Sequence, residues 1–310
     1  MASIRRRSAV AELLYNLRYR LGEYSLRGFI SSLPYIPYRL LTAFVSAVAR
    51  ITFLCLWKYR TRMEENIAAT LGGEIADPAE RKALAWRAWR NFARGVVDTT
   101  AVMHFGKQKI IETVKLEGED HLQRALEKGK GVLALSAHLG SFTMIGARLA
   151  ASGYPFSAVV KHPADKRFAQ LTDDYRSQIG IHTIPAKPRR EAVRGILKAL
   201  RENRVVLVIA DEFKSGDLSV EFFGLQLPAP RGPATLALRT GALTLPMFAT
   251  RQGDDSIVLS IGAPIEPVTF PDLEESVLAT TAVYTRYLEA AIRRYPDQWN
   301  WLGLPNRDGK

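Results

Sequence analysis

Two polar side chains directly follow the two most apolar short runs of the sequence. His138 comes after residues 131–137, and Asp211 comes after residues 204–210. Short apolar runs indicate buried strands, and side chains just beyond parallel strands meet at one edge of a sheet. A histidine at that edge can act as a general base on a hydroxyl, and a carboxylate can orient the ring. Taken singly, the two residues fit equally well a backbone-bonded histidine and a turn-capping aspartate.

A regular alternation of strands and helices must position these two side chains. Apolar runs predict strands at residues 131–137, 156–160, 181–184, 204–210, 244–250 and 256–261. Helical spacing of apolar residues predicts helices at residues 141–152, 167–179, 188–202, 233–240 and 273–294. Residues 61–128 are predicted to be helical, chiefly over 62–71 and 78–105. This order predicts an α/β fold with a mainly parallel central sheet flanked by helices.

The N-terminal segment, residues 1–60, is apolar and rich in arginine, and it precedes the predicted α/β domain at residues 61–310. Its longest apolar run, residues 40–57, is almost long enough to cross a bilayer, but Arg50 lies inside it and is costly in hydrocarbon. We therefore expect a helical hairpin over residues 23–57 that lies in the membrane interface or inserts shallowly. A single membrane span and a plain core helix remain the alternatives.

The composition and motifs of the sequence limit the binding partners, metals and cofactors that we expect. A formal net charge of +12 attracts anionic lipid headgroups, acidic proteins or nucleic acid. The single cysteine excludes a disulfide within the chain and a zinc site built on thiolates. The sequence contains no nucleophile elbow, phosphate-binding loop or dinucleotide-binding turn, so neither a metal nor a cofactor is expected. Basic residues do not alternate with aromatic ones as in an RNA-binding sheet, so no nucleic-acid partner is expected.

Several motifs, in order along the chain, resemble one known family. The sequence G-K-G-V-L-A-L-S-A-H-L-G-S-F at residues 129–142 resembles the strand and histidine turn of the lipid A late acyltransferases, a superfamily that includes phosphatidylinositol mannoside acyltransferases. The resemblance continues at Tyr175-Arg176, Arg190, residues 195–200, 205–211, 222–224, 231–238, 240–246 and 295–301. It implies a glycerolipid-acyltransferase-like α/β fold and a membrane-associated N-terminal extension.

The resemblance also implies a reaction and its participants. A hydroxyl of a lipid A-like membrane glycolipid would attack an acyl thioester carried by acyl carrier protein or coenzyme A. His138 would deprotonate that hydroxyl, and Arg190 and Asp211 would occupy the family's arginine and aspartate positions. The protein would lie on the cytoplasmic face of a bacterial inner membrane, peripherally or by a single N-terminal anchor, against an anionic membrane surface.

One position departs from the family pattern, which places an acidic residue five positions after the histidine. Thr143 stands there, and it brings no charge to orient the ring. Three alternatives follow: Asp211 or Glu212 replaces the missing carboxylate, the enzyme is slower or takes another acceptor, or the chain is an inactive lipid-binding or regulatory relative. The expected catalytic residues are His138 and Asp211. The expected substrate-binding residues are Arg176, Arg190, Arg194, Glu212, Ser141 and Thr143.

Basic side chains gather on the predicted helix at residues 188–202. Arg190, Arg194 and Arg201 share one face of that helix, because residues three, four and seven positions apart line up. Such a face suits the phosphate of a donor or an acidic carrier protein, although a solvated helix surface has the same pattern.

Overall fold

A computed structural model describes residues 35–102, 106–163 and 165–305, together with residues 17, 20–22, 24, 25, 28, 31 and 32. His104, the end of the predicted helix 78–105 and residues 23, 26, 27, 29, 30, 33 and 34 of the predicted hairpin 23–57 lie outside the described residues. The described helices are α1 (Tyr38–Cys55), α2 (Trp57–Leu71), α3 (Pro78–Val102), α4 (Lys107–Thr113), α5 (Glu119–Leu126), α6 (Thr143–Ala151), α7 (Lys166–Gln178), α8 (Arg189–Arg201), α9 (Gly232–Thr240) and α10 (Leu273–Arg294). The described strands are β1 (Val114–Glu117), β2 (Val132–Ser136), β3 (Phe156–Val160), β4 (Ile181–Pro185), β5 (Val205–Ile209), β6 (Leu218–Phe222), β7 (Leu225–Ala229), β8 (Leu243–Arg251) and β9 (Ile257–Ile261).

The central sheet has seven strands in the order β1-β9-β8-β2-β5-β3-β4. All neighbouring pairs in it are parallel except β8 and β9. The expected α/β fold around a mainly parallel sheet is therefore confirmed. All five residues of β2 are buried, because helices cover both faces of a parallel sheet and its central strands must be apolar throughout.

Two features of the fold differ from the sequence prediction. Residues 61–128 are not helical throughout, because Val114–Glu117 forms edge strand β1 beside β9. The antiparallel hairpin of β6 and β7 was not predicted either. Its turn places Phe223 and Gly224 at φ values of 52° and 72°, the left-handed conformation that a tight two-residue hairpin requires.

In the middle of the sheet, between the parallel strands β2 and β5, the connections of the two strands leave toward opposite faces. The chain leaves β2 into α6, which packs with α5 on one face around Ile145 and Leu122. The chain leaves β5 toward α9, which packs with α8 and α10 on the opposite face around Ile196 and Leu288. Adjacent strands whose connections depart to opposite faces leave a crevice beyond their carboxyl ends, where ligands bind in open α/β sheets.

The described N-terminal helices pack on α3 through aromatic side chains. The Phe53 ring meets the Trp86 and Trp89 rings edge-on, with centroids 5.4 and 6.0 Å apart. The Arg50 guanidinium lies 5.0 Å from the centre of the Trp86 ring, so this charge contacts an indole face. Helix α2 runs through the predicted boundary between residues 60 and 61, and that division of the chain stays a prediction.

Among the described residues, no single helix is both long and apolar enough to cross a membrane. One pair of helices, Leu40–Cys55 and Trp57–Leu71, meets the length and composition requirement together and is bent by 88° between them.

Candidate active site

The ends of β2 and β5 bring His138 and Asp211 into contact. Ser136 and Ile209 are paired across the two strands, and the two side chains lie two residues beyond them. The His138 Nδ1 and Asp211 Oδ1 atoms are 2.8 Å apart. The Asp211 side chain is 1% exposed and that of His138 is 29% exposed, so the carboxylate is enclosed while the ring still reaches solvent.

Asp211 is held by donors from three directions. Its Oδ1 accepts from the His138 ring, and its Oδ2 accepts from the His138 backbone N–H at 2.8 Å and from the Trp299 Nε1–H at 2.7 Å. A buried carboxylate needs such partners to offset its lost hydration. Because a carboxylate only accepts, the ring donates through Nδ1, and Nε2 is left as the nitrogen that takes up a proton.

The C-terminal segment that carries Trp299 also fixes the histidine turn. The Gly140 N–H donates to the Gln298 carbonyl at 2.9 Å, and the Asn300 N–H donates to the His138 carbonyl at 3.1 Å. Gly140 has a φ of 59°, and a Cβ there would lie 2.4 Å from the Ala249 carbonyl oxygen. Only glycine fits this crossing, so the backbone that presents His138 is tightly constrained.

The surroundings of the ring raise the pKa of His138 above its ordinary value. Burial alone lowers this pKa, but the hydrogen bond to Asp211, the charge of Asp211 and the charge of Glu212 together outweigh burial, against a small opposing effect of Lys214. The neutral imidazole is therefore a stronger base than a solvent-exposed histidine, which suits proton abstraction from a hydroxyl.

Thr143, the first residue of α6, has a partner on α3 rather than on the His138 ring. The Thr99 hydroxyl donates to the Gly95 carbonyl at 2.8 Å, so the Thr143 hydroxyl donates to Thr99, with the two oxygens 2.7 Å apart. Thr143 and Glu212 both line a cavity beside His138. Of the two carboxylates that could replace the missing acid, Asp211 is the one in contact with the ring.

A deep apolar cavity of about 710 Å³ opens beside His138. It enters the sheet where β3 and β5 separate, since these strands are paired only from Phe156 to Ala158 and from Val205 to Leu207. It is lined by Thr99, His138, Phe142, Thr143, Gly146, Phe156, Ala158, Val159, Val160, Lys161, Tyr175, Arg176, Ile179, Ile181, Ala186, Ile196, Leu207, Val208, Ile209, Glu212, Gly232, Pro233 and Leu236. A volume of this size with an apolar wall suits a small lipid chain.

The other residues predicted to bind substrate lie either on the cavity wall or outside it. Arg176 lines the cavity, and its guanidinium is 2.7 Å from the Asp173 carboxylate. Arg190 and Arg194 are exposed on α8, outside the described cavity wall. Ser141 is buried, and its hydroxyl donates a hydrogen bond to the Asp98 carboxylate at 2.5 Å. Ser141 also lies outside the described cavity wall. Their substrate-binding roles stay predictions.

Two polar groups near the site were missed by sequence reasoning. One is Trp299, which lies in the run Y-P-D-Q-W-N-W, whose high tryptophan content was the available signal. The other is the buried ion pair of Asp98 and Arg251, with 2.5 Å between charged atoms, which ties α3 to the end of β8 behind Ser141. Among the described residues, no cluster of three or more histidine, cysteine or acidic side chains could hold a metal ion.

The α/β fold and the contact between His138 and Asp211 agree with what the acyltransferase motifs imply. The sequence profile of the bacterial lipid A biosynthesis acyltransferases matches residues 14–304. The chain belongs to this family and is an acyltransferase.

Named relatives come from two branches of the family. The phosphatidylinositol mannoside acyltransferase of Mycolicibacterium smegmatis is 26% identical over 298 residues, which cover 91% of this chain and 93% of the relative. The protein of that name from Mycobacterium tuberculosis is 26% identical over 246 residues, 78% of this chain and 75% of the relative. The lipid A biosynthesis palmitoleoyltransferase of Escherichia coli is 24% identical over 226 residues, 72% of this chain and 71% of the relative.

Proposed function

We propose that the protein transfers a fatty acyl group from an acyl thioester to a hydroxyl of a membrane glycolipid, with His138 as general base. The observation that carries the proposal is the buried Asp211 carboxylate on the His138 ring, at the mouth of an apolar cavity. The two branches of relatives support a glycolipid acceptor, because their names include a mannosylated lipid and lipid A.

The proposed reaction is a single displacement at the thioester. Nε2 of His138 takes the proton of the acceptor hydroxyl while the hydroxyl oxygen bonds to the carbonyl carbon of the thioester. Asp211 stabilises the imidazolium that forms. The carbon–sulfur bond then breaks, the sulfur leaves with the electron pair, and the imidazolium returns the proton to it. The products are an ester and a free thiol, and His138 is neutral again.

The donor is acyl carrier protein or coenzyme A, and the basic start of α8 supports either. Ala186 lines the cavity, and the exposed Arg190 and Arg194 follow it one helical turn apart. Arginine at this place suits the phosphate of a pantetheine arm or an acidic carrier surface. Arg190→Glu with Arg194→Glu should raise KM more for the carrier-bound donor than for the CoA-bound donor if the carrier is the physiological source.

The acceptor is proposed to reach the site from an anionic membrane surface, on the cytoplasmic face of a bacterial inner membrane. One face of α1 leaves large apolar side chains exposed at spacings of three and four residues: Leu40, Phe44, Val48, Ile51 and Leu54. The opposite face buries Ala49 and Phe53. An exposed apolar helix face on a protein of net charge +12 suits insertion into the interface of an anionic bilayer.

The function is tested by acyl transfer from acyl carrier protein and acyl-CoA into a membrane lipid extract, with wild type compared with His138→Ala. We expect product with the wild type and a loss of at least about a thousandfold in the variant. Equal rates in both proteins would contradict the assigned base. Lipid binding without transfer by the wild type would instead favour the inactive, lipid-binding alternative.

Membrane contact is tested separately by sedimentation with anionic vesicles. Phe44→Glu with Ile51→Glu should reduce vesicle binding, because both side chains are exposed on the α1 face. Leu278→Glu with Tyr287→Glu, at two exposed apolar residues of α10, introduces the same two charges as a control and should bind as the wild type does. Loss of binding in the control alone would contradict the proposed orientation.

A further inference from the structure

On the α6 face, the cavity wall includes the aromatic ring of Phe156, which rests on a glycine. Gly146 lies one helical turn after Thr143, and both residues line the cavity. A Cβ on Gly146 would lie 2.5 Å from Cε1 of Phe156 and 3.2 Å from Cδ1 of Ile181. The Phe156 ring therefore sits directly against the helix backbone, at a depth that only glycine permits.

The position of Phe156 along β3 places its ring at the end of the strand that is farther from His138. Phe156 is the first residue of the strand, whereas Val160 and Lys161 belong to the carboxyl edge where His138 lies. Four residue steps along a strand span about 13 Å. The wall between mouth and floor is apolar, with Ala158 and Leu207 on the same face as Phe156. A chain that enters beside His138 and runs along this face would meet the Phe156 ring.

The cavity also has a wall on the opposite face of the sheet. Val159 and Val208 point to that face, where Ile196 of α8 and Leu236 of α9 complete the wall. The two sets of lining residues lie on opposite faces of the sheet because alternate residues of β3 and β5 point to opposite faces. Substitutions on the second wall can therefore show which face of the sheet the acyl chain follows.

We propose that the Phe156 ring, held in place by Gly146, is the floor of the acyl pocket and limits the length of the acyl chain. This inference rests on the proposed acyltransferase function and assigns the donor chain to the α6 side of the sheet. Removing the ring extends the pocket. Adding a methyl group at position 146 moves the ring into the cavity, because the core around it is close-packed and offers no other space.

The test is a competition among saturated acyl thioesters of increasing even chain length, carried on CoA and on acyl carrier protein, with a membrane lipid extract as acceptor. Mass spectrometry of the lipid product gives the length profile. Phe156→Ala should shift the preferred chain to a longer one, and Gly146→Ala should shift it to a shorter one. At the limit of an apolar pocket, one methylene changes the rate by about tenfold or more. Phe156→Leu, a milder change, should give a smaller shift in the same direction as Phe156→Ala.

Ile196→Ala tests the opposite wall of the cavity. The control is Leu200→Ala, a buried residue of the same helix that lies outside the described cavity wall and should keep the wild-type profile. An unchanged profile in active Phe156→Ala and Phe156→Leu proteins would overturn the inference while leaving the acyltransferase function intact. A shift in Ile196→Ala alone would place the chain on the other face and overturn it too. Wild-type protein that transfers no chain of any length would instead mean that the proposed function itself had failed.

Discussion

Two histidine–aspartate pairs in this molecule have the same separation and different surroundings. The His138–Asp211 pair and the His162–Asp173 pair each have 2.8 Å between ring nitrogen and carboxylate oxygen. Asp211 is 1% exposed, whereas Asp173 is 30% exposed. Contact distance therefore does not distinguish the two pairs, and their difference lies in what else holds each carboxylate.

The partners of the carboxylates explain the difference. Asp211 is shared between the His138 ring, the His138 backbone and the neutral Trp299 indole, so its negative charge acts mainly on the ring. Asp173 is shared with the Arg176 guanidinium, a full positive charge 2.7 Å away, and solvent screens both groups. We therefore expect the first pair to stabilise an imidazolium and the Asp173 carboxylate to hold Arg176 at the cavity wall.

The largest expected effect is that of Asp211→Asn. The amide keeps the shape but removes the charge that stabilises imidazolium and sets the tautomer, so acyl transfer should fall by about 10³- to 10⁴-fold. The pKa of His138, read from an NMR titration, should fall as well, because the two Asp211 effects that raise it are lost and burial remains. A pKa that stays raised would show that another group supports the ring.

The second-largest effect is expected at Trp299 and should distinguish it from the neighbouring Trp301. Trp299 and Trp301 are both buried, but the Trp299 Nε1–H donates to Asp211 and the Trp301 Nε1–H donates to the Pro296 carbonyl. Trp299→Phe should lower kcat by about tenfold or more, as loss of an outer-shell partner does. The acid limb of the pH–activity profile should also move to higher pH. Without this donor, the Asp211 carboxylate attracts the His138 proton more strongly and the pKa of His138 rises.

The matched variant Trp301→Phe should lower the thermal stability and leave that acid limb in place. If both variants shifted the limb equally, the effect would belong to packing of the C-terminal segment rather than to Asp211. If neither variant shifted it, Trp299 would have no part in tuning the base.

A smaller effect is expected when glutamate replaces Thr143, the position at which the family pattern has an acidic residue. In Thr143→Glu a second acidic group would join the cavity that His138 lines, and it should raise the pKa of His138 further. Activity on the acid side of the pH profile should then fall, because a larger share of the His138 rings is protonated and cannot act as a base. A gain of activity would show that Asp211 does not replace the missing carboxylate. The assay is the pH dependence of kcat/KM beside the wild type.

The smallest effect is expected at the second pair. Asp173→Asn removes a partly exposed ion pair of the kind that contributes about 0–1 kcal/mol, so KM for the thioester should rise by about fivefold at most. The acid limb of the pH profile should stay at its wild-type position. A loss as large as that of Asp211→Asn would erase the distinction between the two pairs.

Local patterns in the sequence predicted most of the sheet. The apolar runs at residues 156–160 and 204–210 correspond to β3 and β5 to within one residue, because burial on both faces leaves a continuous apolar signal. The short edge strand β1 has only four residues, half of them polar, and its residues were wrongly predicted to be part of a helical region. The hairpin of β6 and β7 was missed although its residues alternate, because the turn contains phenylalanine where asparagine or aspartate is usual.

The placement of His138 and Asp211 at strand ends was determined by the sequence alone, because strand length and burial are local properties. Their contact was decided by the tertiary structure, since it depends on β5 lying next to β2, and the two residues are 73 positions apart. The Trp299 donor, 88 positions beyond Asp211, and the Thr99 partner of Thr143 were likewise decided there. Strand order and helix packing arise from burial of the whole chain, and no local periodicity encodes them.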